Sequence, residues 1–248
     1  MKNLIIANWK MNPENAKEAK KLFDAVKKET RSRRQGTSGL EVVICPPFIY
    51  LYLLKGLGLG AQNVFWEEKG AYTGEISAPM LKDLRVEYVI VGHSERRKYF
   101  GETDEIINKK LKKILAEGLT PILCVGENAS EEPSSVLGKQ VTEGLRRVSN
   151  VNGQLSNVII AYEPVWAIGT GNNCSVDKAQ TALLLIKKII SQLYTRELAN
   201  SIRILYGGSV NSQNSAPYIK EAGFNGLLVG GASLDPEEFI KIIKSASV

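Results

Sequence analysis

Histidine and cysteine are scarce in this chain of 248 residues, which contains one histidine, His93, and three cysteines, Cys45, Cys124 and Cys174. The cysteines are odd in number and widely spaced, so the pattern indicates neither a disulfide framework nor a metal site built from clustered histidine and cysteine ligands. We therefore predict reduced thiols near the strand ends and no bound metal.

Long hydrophobic runs are also missing. No apolar stretch approaches the roughly 18 residues that a membrane-spanning helix requires. The first ten residues contain only a short apolar run, Leu4 to Ala7, and no small-residue cleavage site follows it, as would be expected after a signal peptide. The sequence therefore predicts a cytoplasmic protein that does not bind a membrane.

The glycine-rich motifs that bind nucleotides are incomplete. Gly56, Gly58 and Gly60 form only GxGxG, and the segment from Gly169 to Gly171 lacks the third glycine of a dinucleotide-binding motif. The chain also contains no GxxxxGK[ST] phosphate-binding loop. We therefore expect no cofactor.

Basic residues exceed acidic residues by 32 to 26, which gives a net charge of +6. They occur where predicted helices would face water, for example at Lys27 and Lys28, and no aromatic residues alternate with them to stack nucleic acid bases. This distribution argues against nucleic acid and membrane surfaces as partners. It favours a small anionic substrate such as a phosphate ester.

Short β-branched runs alternate with longer amphipathic segments along the chain. Several runs are apolar at nearly every position, which is typical of strands covered on both faces. The predicted strands are Leu4–Trp9, Glu41–Cys45, Leu57–Ala61, Tyr88–Val91, Thr120–Val125, Asn157–Tyr162, Ile202–Leu205 and Gly226–Val229. The predicted helices are Glu14–Glu29, opened by Asn12-Pro13, then Ile49–Leu54, Ala78–Leu84, Thr103–Glu117, Pro133–Val148, Val176–Tyr194, Ala216–Glu221 and Pro236–Ser245.

Strict alternation without a break in composition predicts one domain, residues 1–248, with an α/β fold. Eight units favour a (β/α)8 barrel, in which eight parallel strands are surrounded by helices, and a doubly wound open sheet is the alternative.

Polar residues and glycines follow the predicted strands at the end where parallel barrels carry their functional groups. They are Asn8, Lys10, His93, Glu95, Glu163, Ser209, Gly230 and Gly231. A turn or a solvated side chain would explain each of them singly, but their joint placement on one rim indicates a site. Glycines after strands seven and eight would let backbone N–H groups approach a phosphate. Glu163, His93 and Lys10 would then supply a base, a neutral proton donor and a cation.

Five motifs resemble, in order, those of the triosephosphate isomerase family. They are NWKMN at 8–12, VGHSERR at 91–97, AYEPVWAIGTG at 161–171, YGGSV at 206–210 and LVGGASL at 228–234. The resemblance implies a TIM barrel isomerase of glycolysis and gluconeogenesis, connected to pentose phosphate metabolism. Its expected reaction interconverts D-glyceraldehyde 3-phosphate and dihydroxyacetone phosphate, two triose phosphates, through an enediol.

The resemblance also implies roles for the rim residues. Glu163 would transfer the proton, a neutral His93 would polarise the carbonyl group, and Lys10 would stabilise the enediolate. The remaining residues would position the substrate, support the site or bind phosphate: Asn8, Glu95, Gly169, Ser209, Gly230 and Gly231. For Glu95 a second interpretation stays open, as an ion-pair partner of Arg96, Arg97 or Lys98.

Two loops complete the prediction. The segment Phe65–Glu75 contains three aromatic residues, which favours contact with a partner, and the resemblance implies a homodimer through this loop. The segment Pro164–Gly171 is expected to form a lid, followed by an unusual hinge at Asn172-Asn173-Cys174. Two other functions remain open: another phosphosugar isomerase, and a catalytically silent barrel that binds a phosphorylated metabolite.

Overall fold

Eight apolar runs form strands in the computed structural model, which describes residues 2–33, 40–169 and 173–246. The strands are β1 Asn3–Asn8, β2 Leu40–Cys45, β3 Gly58–Ala61, β4 Tyr88–Val91, β5 Thr120–Val125, β6 Ile159–Tyr162, β7 Arg203–Tyr206 and β8 Gly226–Val229. They are parallel and form a closed barrel in chain order. The predicted (β/α)8 barrel is confirmed, and the alternative of an open sheet is wrong.

Closure depends on a glycine where the last strand meets the first. Gly226 pairs with Leu4, and a Cβ atom at Gly226 would lie 1.8 Å from the carbonyl oxygen of Leu4. Its φ of +148° is also one that other residues rarely adopt. Glycine at this position therefore allows β8 to pair with β1.

Helices connect the strands around the outside of the barrel. They are α1 Ala16–Arg33, α2 Phe48–Leu51, α3 Ala78–Asp83, α4 Ser94–Phe100, α5 Asp104–Ala116, α6 Pro133–Gly144, α7 Val176–Leu193, α8 Arg196–Ser201, α9 Ser215–Lys220 and α10 Pro236–Ser245. Short 3-10 helices lie at Val151–Asn157, Val165–Ala167 and Gly231–Leu234. In the described ranges, no helix combines the length and the apolar character needed to cross a membrane.

Several predicted helix boundaries are wrong. The first helix begins at Ala16 and not at Glu14, because Asn15 Oδ1 accepts a hydrogen bond from the N–H of Glu18 at 3.0 Å and caps the helix there. Helix α6 ends at Gly144, before the predicted end, and the chain turns at Arg147, which has a positive φ of 54°. The sequence analysis also missed α4 and α8.

Buried residues form two layers, one on each side of the strands. Inward-facing strand residues fill the barrel, as Leu4 and Ile6 do in β1. Alternate residues such as Ile5 pack outward in a second cluster, together with helix residues such as Phe23. Because both faces of each strand are covered, the strands need apolar residues at nearly every position.

The predicted lid is described only in part. The structure includes Pro164 to Gly169, with a 3-10 helix at Val165–Ala167, and it resumes at Asn173. Thr170, Gly171 and Asn172, which belong to the predicted lid and hinge, lie outside the described residues.

Candidate active site

A cavity of about 150 Å³ lies at the C-terminal end of the barrel. It is lined by Asn8, Lys10, His93, Glu163, Ile168, Gly169, Gly207, Gly208, Ser209, Val210, Leu228, Gly230, Gly231 and Ala232. The structure thus brings together every predicted site residue except Glu95, which lies beside the cavity.

Glu163 follows β6 and is only 2% exposed. Its Oε1 atom lies 3.2 Å from His93 Nε2, and its Oε2 atom accepts a hydrogen bond from the N–H of Ser94 at 3.3 Å. A Cβ atom at Gly126 would lie 1.7 Å from the Glu163 carbonyl oxygen, so glycine allows the chain after β5 to approach. The carboxylate is therefore buried and held by two donors at the start of α4.

His93 caps the N-terminus of α4, and this contact determines its tautomer. Its Nδ1 atom accepts a hydrogen bond from the N–H of Glu95 at 3.2 Å. A ring nitrogen that accepts a hydrogen bond carries no proton, so in the neutral ring the proton is on Nε2, which faces Glu163. The cavity therefore contains a neutral N–H donor next to the carboxylate.

Lys10 follows β1 with a φ of 54°, in the left-handed region that costs a non-glycine residue about 1–2 kcal/mol. Two contacts hold this conformation. The N–H of Lys10 donates to Asn8 Oδ1 at 3.1 Å, and its carbonyl oxygen accepts from Gln62 Nε2 at 2.8 Å. Gln62 also donates to the carbonyl oxygen of Cys45 at 2.9 Å, which joins the ends of β1, β2 and β3.

Glu95 forms an ion pair with Lys10, with 2.5 Å between Oε1 and Nζ. Arg96 pairs with Glu102 and Arg97 with Asp104, so the described ion-pair partner of Glu95 is Lys10 and neither of these two arginines. The side chains of Lys10 and Glu95 are 28% and 38% exposed, and solvent therefore screens part of their attraction. The ion pair still sets the direction of the Lys10 side chain at the rim of the cavity.

Ser209, Gly230, Gly231 and Gly169 form one side of the cavity. The 3-10 helix Gly231–Leu234 begins here, and the first N–H groups of a helix have no partner within it. A Cβ atom built on Gly230 would lie 3.4 Å from Lys10 Cε, so the lysine borders the same space. Unpaired N–H groups beside a cation are suited to bind a phosphate.

The sequence analysis missed three residues that support this site. Gln62 directly follows β3, and its position on the same rim was a usable signal. The second residue is Cys124, next to the Glu163 carboxylate. Burial raises the pKa of its thiol well above the usual value, and the negative charge of Glu163 raises it further, so the thiol stays protonated.

The third residue is Glu127, which holds the beginning of the segment predicted as a lid. Its Oε1 atom accepts hydrogen bonds from Tyr162 Oη and Trp166 Nε1, each at 3.0 Å, and its carbonyl oxygen accepts from the N–H of Val165 at 2.9 Å. Glu127 is buried, and nothing in the sequence around it distinguishes it from a loop residue.

The closed barrel, with a buried carboxylate, a histidine and a lysine at its C-terminal end, places the chain in the class of (β/α)8-barrel enzymes. Residues 3–246 match the family model described as Triosephosphate isomerase. Among curated proteins with that name, the chain is 49% identical to one from Dictyoglomus thermophilum, over 98% of this chain and 99% of the relative. It is 48% identical to one from Endomicrobium trichonymphae and 46% identical to one from Alkaliphilus oremlandii, each over 98% of both chains. The chain belongs to the triosephosphate isomerase family.

Proposed function

We propose that this chain interconverts D-glyceraldehyde 3-phosphate and dihydroxyacetone phosphate, with Glu163 as the base. The family supports this reaction, an aldose–ketose isomerisation. The observation that carries the assignment of the base is the distance of 3.2 Å between Glu163 Oε1 and His93 Nε2 in a cavity that Lys10 also lines. A base, a neutral N–H donor and a cation are the groups that proton transfer next to a carbonyl group requires.

The proposed reaction consists of two proton transfers. Glu163 removes a proton from carbon 1 of the ketose, and the electron pair of the broken C–H bond forms the C1–C2 double bond while the carbonyl electrons move to oxygen. His93 Nε2–H donates a hydrogen bond to that oxygen and relays the proton between the two oxygens, and Lys10 stabilises the negative charge of the enediolate. Glu163 then returns its proton to carbon 2, which yields the aldose.

The substrate phosphate would bind on the side formed by Gly169, Ser209, Gly230 and Gly231, while Asn8 and Lys10 orient the carbonyl end. Glu95 would act on the reaction through its ion pair with Lys10. No step of this mechanism uses a metal or a cofactor.

A coupled assay with D-glyceraldehyde 3-phosphate tests the proposal, since formation of dihydroxyacetone phosphate is read directly by a reductase that consumes NADH. We expect turnover that a two-carbon phosphocarboxylate inhibits competitively. Folded protein that binds the phosphocarboxylate but shows no turnover would support a catalytically silent barrel. Turnover of another sugar phosphate alone would support a different phosphosugar isomerase.

The proposal includes a homodimer formed through the loop Phe65–Glu75. The Phe65 ring packs at a tilt against Trp66 and Tyr72, with ring centroids 4.0 Å and 4.7 Å apart, yet Tyr72 remains 44% exposed. Met11 is 92% exposed just after the first strand. Exposed apolar side chains of this size favour a protein partner.

Sedimentation of the wild type and of two variants tests the dimer. Tyr72→Asp should increase the monomer fraction, because it puts a charge into the proposed interface. Leu184→Asp, at an exposed leucine of α7, is the matched control and should leave the mass unchanged. A monomeric wild type at micromolar concentration would contradict the proposal.

We also propose that the enzyme works in the cytoplasm, in glycolysis and gluconeogenesis, with its product shared with the pentose phosphate pathway.

A further inference from the structure

Besides Gly169 after β6, the phosphate side of the cavity is built from two separate loops, one after β7 and one after β8. The loop after β8 leads through the 3-10 helix Gly231–Leu234 directly into α10. Asp235 caps α10, because its Oδ1 atom accepts hydrogen bonds from the N–H groups of Glu237 at 2.9 Å and Glu238 at 3.2 Å. The first turn of α10 is therefore fixed relative to Gly231.

Glu238 extends from this first turn to the loop after β7. Its Oε1 atom accepts a hydrogen bond from the N–H of Ser212 at 2.6 Å, and its Oε2 atom accepts one from Ser212 Oγ at 3.0 Å. Both carboxylate oxygens thus bind a single residue. Hydrogen bonds to an ionised carboxylate are roughly twice as strong as those between neutral groups.

Ser212 is in turn connected to Ser209, which lines the cavity. Asn211 Oδ1 accepts hydrogen bonds from the N–H groups of Gln213 and Asn214, each at 3.0 Å, and Asn214 Oδ1 accepts from the N–H of Asn211 at 2.8 Å. Asn214 Nδ2 then donates to the carbonyl oxygen of Ser209 at 3.1 Å. Ser212 adjoins Asn211 in the chain, so the hydrogen bonds of Asn211 and Asn214 link Ser212 to Ser209.

We propose that Glu238 is a positioning residue that sets the distance between Ser209 and Gly231 and thereby shapes the phosphate site. The proposal rests on the proposed function, since it assumes that a phosphorylated substrate occupies this side of the cavity. Glu238 does not line the cavity and acts through Ser212. Its negative charge near a bound dianion would by itself weaken phosphate binding. The positioning effect and the charge effect thus have opposite signs.

Three variants separate the two effects. Glu238→Ala removes both hydrogen bonds and the charge, whereas Glu238→Gln removes the charge but keeps an oxygen that accepts from the N–H of Ser212. Glu237→Gln is the matched control, because Glu237 is the exposed neighbour in the same helical turn and its side chain makes no described contact with Ser212. Inorganic phosphate is the probe, and its inhibition constant is measured together with kcat and KM for D-glyceraldehyde 3-phosphate.

For Glu238→Ala we expect about tenfold weaker inhibition by inorganic phosphate and a similar loss of kcat/KM, because displacing a loop by a fraction of an ångström misplaces its N–H groups. Glu238→Gln should restore most of this loss, and Glu237→Gln should match the wild type. We expect D-glyceraldehyde, which lacks the phosphate, to be turned over slowly and at the same rate by all four proteins.

Tighter phosphate binding in both Glu238 variants would show that only the charge matters, and this would overturn the proposal. An equal loss with D-glyceraldehyde would also overturn it, since Glu238 would then act on the whole fold. A wild type that binds inorganic phosphate but does not turn over D-glyceraldehyde 3-phosphate would refute the proposed function instead, and the phosphate titration would still test the role of Glu238.

Discussion

Shortening the buried carboxylate is the most direct test of the site. Glu163→Asp keeps the charge and the carboxylate, but one fewer methylene group withdraws the oxygens by about 1 Å. In the wild type these oxygens lie 3.2 Å from His93 Nε2 and 3.3 Å from the N–H of Ser94. Both distances would increase to about 4 Å, beyond the limit of a hydrogen bond.

A displacement of this size costs on the order of 10²-fold in rate, which corresponds to about 2.7 kcal/mol in the barrier. The phosphate side of the cavity is not changed, so KM and the affinity for a two-carbon phosphocarboxylate should remain within about threefold of the wild type. The space left by one buried methylene group should cost about 1 kcal/mol of stability, too little to unfold the protein.

The assay measures kcat and KM in the coupled reaction and the unfolding free energy in urea. Glu237→Asp, the same substitution at an exposed position of α10, serves as the control and should behave like the wild type. A kcat for Glu163→Asp within threefold of the wild type, with an unchanged fold, would remove Glu163 from the role of base. A large rise in KM at constant kcat would mean that Glu163 binds the substrate and does not transfer its proton.

Three further predictions concern strain, pH and metals. Lys10→Gly should lower kcat/KM by at least about 10²-fold, since it removes the cation. The free energy of unfolding in urea should nevertheless be equal to that of the wild type or higher by about 1 kcal/mol, because glycine tolerates the φ of 54°. Burial alone would raise the pKa of Glu102, but hydrogen bonds from Lys110 and Arg96 hold this pKa below its usual value. The ionised Glu102 therefore stabilises the folded protein above the unfolded pKa of about 4.3, and this stabilisation is lost as the pH falls through the folded pKa. In urea unfolding, Glu102→Gln should therefore be less stable than the wild type by about 3–5 kcal/mol at pH 7, with a difference that shrinks toward pH 3, and a constant difference would contradict this. Excess EDTA should leave kcat unchanged, and a loss of activity that added Mg²⁺ or Zn²⁺ restores would refute the metal-free mechanism.

The strands and the rim residues were predictable because each depends on local sequence. A strand covered on both faces needs an apolar run, and a functional group at the C-terminal end of the barrel must follow that run closely. Asn8, Lys10, His93 and Glu163 satisfy this rule, and all four line the cavity. The boundaries of α1 and α6 were less predictable, since one capping side chain or one turn residue decides them.

Contacts between distant residues could not be read from the sequence. Lys10 and Glu95 are 85 positions apart, and only the closed barrel brings their side chains together. Helix α4 has no buried residue in its sequence SERRKYF and so lacks the apolar stripe by which helices are recognised. Glu127 and Gln62 are single polar residues whose partners belong to other strands or loops.

Described contacts hold the chain near each end of the segment predicted as a lid. Cys174 is buried, and its carbonyl oxygen accepts a hydrogen bond from Tyr218 Oη at 2.6 Å. Ser175 caps α7 through the N–H of Lys178, so the chain is fixed from Cys174 onward. At the other end of the predicted lid, Glu127 holds Val165 and Trp166. The described contacts therefore anchor Val165 and Trp166 near the start of the predicted lid, and they also anchor Cys174, which the prediction placed in its hinge.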